Sequence, residues 1–292
     1  MNNSNLDFSE HSILDCKGKI DTVSGVKYTD LNISTMTVCF NFNQIIDLVH
    51  LKDNLPPCFN INYNPGSKKS KIPKKKGTDT FYNSFDIKMG IVDYTKSPVV
   101  FSNVSIFIFP NGKVKVAGVK TINTINIMID ELIELIKYIT INGNEQVTIN
   151  GNGNEQVYQT DSLKAENIKI QMICSDFKIK PIKEDPDGWC IKQEILKNIL
   201  VNKYQLSATF SALSRYPGIN LKVKSLVDDK NISLLIFRSG SIIITGAKSF
   251  IDISNCYSFI IEVISKYSSS LFYYDINEDI KQKKKVNLTK LT

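Results

Sequence analysis

Two histidines, His11 and His50, and six cysteines are the side chains best suited to metal or nucleophilic chemistry in this chain of 292 residues. The cysteines stand at Cys16, Cys39, Cys58, Cys174, Cys190 and Cys256, with no C-x-x-C pair among them. A structural zinc site needs Cys and His clustered at short spacing, so reduced, buried thiols are expected, with no metal and no cofactor. His50 has no partner set for acid–base work, and no G-x-x-x-x-G-K-[ST] loop exists to cradle phosphate. Glu131 and Glu134 fall on the polar side of a helical pattern. Enzymatic chemistry is not expected.

Lysine chemistry is better represented. Lys68, Lys69 and Lys71 precede Lys74, Lys75 and Lys76, and Lys281, Lys283, Lys284 and Lys285 lie near the C-terminus of a chain with net charge +7. Runs of this kind attract phosphate and release counterions from nucleic acid. A solvated lysine-rich loop in a Lys/Asn/Ile-rich chain reads the same way, so charge alone does not choose. No apolar run approaches the roughly 20 residues that span a bilayer, and the first residues lack the order of a signal peptide. No membrane association is expected, and an intracellular setting is.

The elements that would position these groups emerge from an internal repeat. Val104–Lys120 aligns without a gap on Ile232–Lys248, sharing Ser, Ile, Phe, two Gly and Lys. Each copy reads as strand, tight turn, strand, with Asn111-Gly112 and Ser239-Gly240 supplying the turn. A helix follows each hairpin. Ile125, Met128, Ile129, Leu132, Ile133, Ile136 and Ile139 form one stripe; Ile253, Tyr257, Ile260, Ile261 and Ile264 form the other, behind Ser249 as N-cap. Gly-Asn-Glu-Gln-Val occurs twice between the copies, which marks a linker. The expected organisation is an N-terminal tail at 1–27 and a first repeat at 28–140 with a basic insertion at 67–77. A linker at 141–163, a second repeat at 164–270 and a basic tail at 271–292 complete it.

Alternation in the second hairpin leaves both faces apolar: Leu235, Phe237, Ile243 and Thr245 on one, Leu234, Ile236, Ile242 and Ile244 on the other. One face meets the helices. The other needs a second sheet, a protein or a DNA groove.

Leu234–Lys248 resembles the signature L-[IL]-F-x-S-G-[KR] followed by T-G-A-K of the TATA-box-binding protein family. Arg215–Lys222 is similar to that family's F-P-G-L-I-Y-R strand, and Ile168–Ser175 to its K-I-Q-N-I-V-G-S strand. In the first half, Ile108–Lys113 and Ala117–Lys120 fit, and Leu31–Thr35 fits loosely. The lysine-rich stretch followed by Gly77–Ser84 looks like a segment of the divergent versions from large nucleocytoplasmic DNA viruses. The resemblance implies an α+β fold, a pseudo-two-fold saddle whose curved antiparallel sheet has helices on its convex face. It implies a transcription-initiation factor that binds and bends double-stranded DNA through the minor groove.

By the same resemblance, Phe109 with Tyr82 and Tyr216 with Phe237 would be wedge aromatics. Asn32, Phe107, Lys115, Ala117, Met172, Cys174, Leu235, Ile243 and Thr245 would line the groove floor. Lys88, Lys120, Lys222 and Lys248 would approach phosphates, which fix register without reading sequence. Of two groove-reading asparagines in the family, one becomes Met172 and the other falls at Asn32 or Leu31. A threonine pair becomes Ala117 and Thr245, and a small aliphatic becomes Lys115. Weak or altered TATA preference is therefore expected. Ala212–Arg215 replaces an acidic segment that meets the B-type initiation factor, which implies a divergent partner of that type or an RNA polymerase. The protein is expected to be a monomer or weak dimer. For a viral protein, the host cytoplasm, nucleus or virion would be its location. The alternative function is a protein-interaction subunit of a transcription complex that keeps the saddle without specific DNA binding.

Overall fold

Alternation of buried with half-buried or exposed residues runs through most of each long strand, and it settles where the core lies. The computed structural model describes residues 16–56, 60–62, 84–142, 148–149, 155–156, 162–183, 188–213 and 217–276. The strands are β1 (Lys19–Asp21), β2 (Val26–Tyr28), β3 (Asn32–Phe42), β4 (Asn60–Asn62), β5 (Phe85–Asp93), β6 (Val100–Ile108), β7 (Lys113–Val119), β8 (Thr148–Ile149), β9 (Glu155–Gln156), β10 (Ala165–Pro181), β11 (Trp189–Ile191), β12 (Ser207–Thr209), β13 (Gly218–Lys224), β14 (Asn231–Phe237), β15 (Ser241–Ala247) and β16 (Phe272–Tyr274). The helices are α1 (Leu48–Asn54), α2 (Ile122–Asn142), α3 (Gln193–Asn202), α4 (Phe250–Lys266) and α5 (Ser268–Leu271). The fold is α+β, and the strands of both sheets named below pair antiparallel.

Two compact units divide the chain: Thr35–Gln171, and Met172–Thr292 together with Met1–Ser34. In the first, the strands lie in the order β3-β7-β6-β5-β4; in the second, β10-β15-β14-β13-β12. Apart from β11, which precedes α3 in the second unit, the order of elements along the chain also matches: strand, helix, four strands, helix. The repeat read from sequence is thus a repeat of topology.

The core of the first unit joins Val38, Phe40, Ile87, Ile106 and Val116 to Ile125, Met128, Leu132 and Ile136 of α2. The second joins Phe177, Ile219, Leu234, Ile236 and Ile244 to Leu196 and Leu200 of α3 and Ile253, Ile260 and Ile264 of α4. Apolar burial on this scale is the main force holding each sheet to its helices.

Both hairpin turns place glycine at positive φ, +77° at Gly112 and +81° at Gly240. A second glycine pair, Gly118 at +102° and Gly246 at +92°, marks a break in register. Met36 pairs with Val119 and Thr37 with Ala117; Ile173 pairs with Ala247 and Cys174 with Thr245. One extra residue on β7 and on β15 makes a β-bulge at the same place in both repeats. At Gly118 an added Cβ would stand 2.2 Å from the Asn103 carbonyl oxygen, so a side chain there is sterically barred.

The helix starts are solved differently. In the first unit the Thr121 hydroxyl accepts from the Thr124 N–H (3.0 Å) and donates to Asp93 Oδ2 (2.6 Å). In the second, Ser249 caps α4 by accepting from the Ile251 N–H, and Asp252 accepts from the Leu226 N–H and the Ser225 hydroxyl. The acid sits on the strand end in one repeat and on the helix in the other.

Two expectations about the ends are corrected. Residues expected to belong to an N-terminal tail form the β1–β2 hairpin, and β2 pairs with Ile179–Pro181 of β10. Val26 and Cys16 are buried, which is why this segment is ordered rather than free. Past residue 270, Phe272–Tyr274 pairs with Trp189–Ile191, and Arg238 bonds Tyr273 and Asp275. Most of the 141–163 linker, the 67–77 lysine insertion and the lysines at 281–285 lie outside the described residues.

Candidate nucleic-acid interface

Opposite the helices, each sheet presents a face of half-buried side chains. Cross-strand partners set its rows, because residues directly opposite share a face. In the first unit one row runs Cys39, Lys115, Phe107, Asp86, and the next runs Thr37, Ala117, Ser105, Lys88. In the second unit the matching rows are Asp176, Ile243, Leu235, Asn220 and Cys174, Thr245, Ser233, Lys222. Phe107, Lys115, Ala117, Met172, Cys174, Leu235, Ile243 and Thr245 therefore all reach the open faces, each half-buried.

Asn32 does not take the place expected of it. The matched bulges put Met36 level with Ile173, so the residue equivalent to Met172 is Thr35. Thr35 Oγ1 accepts from the Gly118 N–H at 3.2 Å, and Thr245 donates to Met172 Sδ at 3.8 Å. Asn32 is exposed and donates to Asp176 Oδ1 at 3.1 Å, beside a short contact from Ser34 to the same oxygen. The physical cause is the bulge, which shifts β3 against β7 and cannot be seen in a gap-free reading.

Phe109 and Phe237 occupy equivalent sites at the mouths of the two hairpin turns, where their carbonyls accept from the N–H groups of Gly112 and Gly240. Phe237 lies opposite Gly218, and its ring edge comes within 3.2 Å of where a Gly218 Cβ would stand. The glycine thus makes room for the aromatic. Tyr82 and Tyr216 lie outside the described residues, two positions before Ser84 and Gly218 respectively.

The four candidate phosphate lysines differ in what they already hold. Lys88 is exposed opposite Ser105, while Lys222 donates to Ser233 at 2.6 Å from the equivalent position. Lys120 donates to the Phe101 carbonyl at 3.1 Å. Lys248 stands 3.1 Å from Asp228, and its pKa is raised first by the hydrogen bond with that carboxylate.

Three polar residues on these faces were not anticipated. Burial pushes the Asp86 carboxyl up, against the bond it accepts from Ser84. Asp176 holds Asn32 and Ser34. Asn220 Oδ1 is buried with no hydrogen-bond partner among the described residues. The period-two pattern around each would have revealed them, since Phe85-Asp86-Ile87 and Phe177-Asp176-Ser175 alternate core and face. Burial also raises the thiols of Cys39 and Cys174, so both are neutral near pH 7. Among the described residues no three of His, Cys, Asp and Glu stand together as metal ligands. No described helix is long and apolar enough to cross a membrane.

Paired α+β repeats, each with helices on one face and an open face of half-buried side chains on the other, define the class of protein at hand. The family model described as transcription factor TFIID, or TATA-binding protein, matches residues 196–267, within the second repeat. A TATA-box-binding protein-like protein of Acanthamoeba polyphaga mimivirus is 26% identical over 276 residues, which is 87% of this chain and 70% of that relative. The solved TBP of Methanococcus jannaschii superposes with a TM-score of 0.49 at 19% identity, covering 81% of this chain and 98% of its own. The family match and the viral relative together support a divergent, viral-type TATA-box-binding-protein-like chain.

Proposed function

We propose that this protein is a transcription-initiation factor that lays its open sheet faces in the minor groove of duplex DNA and bends it, with weak or altered TATA preference. One observation supports this above the others. Both repeats leave the same sheet face without a helix among the described residues, floored by Phe107 in one and Leu235 and Ile243 in the other. Each carries a lysine at the same outer-strand position, Lys88 or Lys222. Apolar side chains such as Phe107, Leu235 and Ile243 suit the floor of a widened minor groove, and flanking cations suit its phosphates. Phe109 and Phe237, with Tyr82 and Tyr216, are the wedges in this reading. Met172 and Thr35, in place of amide side chains, remove groove-floor hydrogen bonds and with them discrimination between base pairs.

Gel shifts at several salt concentrations, with a fluorescence-transfer bend assay, test the proposal. Salt-sensitive binding with a bend, at near-equal affinity for TATA and scrambled duplexes, is expected. A preference above about 100-fold would overturn the specificity claim, and no bend would overturn the mechanism.

Asp86 and Asp176 favour a second reading, because carboxylates on the open faces repel phosphate. There the same faces hold a protein of a transcription complex, and a stable protein complex without duplex binding would establish it. In either reading the loop containing Leu213, 99% exposed, offers an apolar contact to a divergent B-type factor or polymerase. Affinity purification from infected cells would return such a factor, from cytoplasmic factories or the nucleus. Recovery of neither would remove this partner.

A further inference from the structure

The β1–β2 hairpin has no counterpart in the other repeat among the described residues, and it changes the surface of β10 beyond the rows described above. Along β10, Met172, Cys174 and Asp176 share the open face, and burial continues to alternate through Pro181. Lys178 and Lys180 therefore follow on that same face. Lys27 of β2 stands directly opposite Lys180, and Ile20 of β1 directly opposite Lys27. Tyr28 and Val26 turn the other way, where Tyr28 meets the ring of Tyr257 in α4 edge-on at 6.1 Å. That aromatic contact, with bonds from the Tyr257 hydroxyl to the carbonyls of Lys17 and Thr29, holds the hairpin on the helix side.

The result is a recess of about 300 Å³ lined by Lys19, Lys27, Lys178 and Lys180, with Ile20 62% exposed beside it. Like charges directly opposite on neighbouring strands destabilise a sheet. The acids of the hairpin are engaged within it: Asp21 accepts from Ser24 and Val23 and feels the charge of Lys19, and Asp30 accepts from the Gly18 N–H and lies 3.8 Å from Lys17. Ion pairs among the described residues do not include Lys27 or Lys178. A sheet extension that gathers cations at this cost, on the face proposed for DNA, has a polyanion as its natural counterpart.

We propose that the hairpin and the end of β10 form a second phosphate-binding surface, which takes the duplex backbone beyond the groove-floor rows through Lys27, Lys178 and Lys180. The inference rests on the DNA-binding reading above. At about 3.3 Å per residue, Lys180 lies roughly 13 Å along β10 from Asp176, far enough to reach phosphates outside the apolar floor.

The test compares the full chain with a variant carrying Lys27→Gln, Lys178→Gln and Lys180→Gln, on a duplex of about 30 base pairs over a salt series. Each phosphate contact contributes about 0.9 to the slope of log K against log salt. The triple variant should lower that slope by roughly 2 to 3 with the bend retained, and Lys178→Gln alone by about 1. A control with Lys52→Gln and Lys197→Gln on helices and Lys203→Gln at the C-terminal end of α3 should leave it near wild type. An unchanged slope in the triple variant, or an equal fall in the control, overturns this surface while leaving the groove-binding proposal standing. Wild-type protein that shows no salt-dependent binding at all overturns both.

Discussion

Lys248 Nζ lies 3.1 Å from Asp228 Oδ2, so a lysine proposed to approach a phosphate is already engaged with a carboxylate of its own repeat. The same pairing lowers the Asp228 pKa, after the larger effect of the Lys230 N–H. Removing the acid frees the cation. Asp228→Asn should tighten duplex binding a few-fold at low salt and steepen the salt slope by about 1. Lys248→Gln should cost little in the wild type and more in the Asp228→Asn background. A double-mutant cycle in gel shifts checks it, and additive effects would mean that Lys248 stays off the phosphates.

Phe237 rests on Gly218, and the pairing offers a way to disturb this proposed wedge without deleting it. Phe237→Ala should reduce the bend substantially while lowering affinity. Gly218→Val should displace the ring and do the same to a smaller degree. Transfer efficiency between dyes at the duplex ends reads both. A full bend in Phe237→Ala would return this side chain to a packing role.

Lys115 stands in a row with Phe107 and Cys39, where the equivalent residue of the other repeat is Ile243. Lys115→Val should therefore lower the salt slope by about 1 and widen the affinity gap between TATA and scrambled duplexes. Competition binding with the two duplexes measures the gap. If it does not change, Lys115 is not on the groove floor.

Asp93 is fully buried, and burial would raise its pKa. Bonds from Thr121, Thr95 and Asn123, with the Thr95 N–H, outweigh that and hold the carboxyl at about 2. Since the folded-state pKa lies below the unfolded one, the ionised group stabilises the fold above about pH 4. That contribution, ~2 kcal/mol, disappears as pH falls toward 2. Urea melts at pH 6 and pH 2.5 should show wild type losing about two-thirds of this amount relative to Asp93→Asn. Parallel losses in both would assign acid sensitivity elsewhere.

Much of each repeat could be read from residue order, because its signals are local. Asn111-Gly112 and Ser239-Gly240 called for positive φ, Ser249 for a cap, and the helical stripes for one covered face. What escaped depends on strands distant in sequence. Thr35 became the partner position of Met172 only through bulges at Gly118 and Gly246. The three-residue strands of the β1–β2 hairpin gave no periodicity to find, and β16 is defined by Trp189–Ile191, far upstream. The second repeat was the clearer by motif, and the family match falls there too.

The two rows of open-face residues are similar in shape but not in chemistry. Cys39, Lys115, Phe107 and Asp86 form a polar, charged series where Asp176, Ile243, Leu235 and Asn220 alternate acid, hydrocarbon and amide. Near-copies with identical surfaces would sit equally well either way round on a helix whose strands are themselves related by dyads. Unequal halves make the two orientations differ in energy. Under the proposed DNA-binding role, polarity on a promoter can thus arise without strong recognition of any particular base.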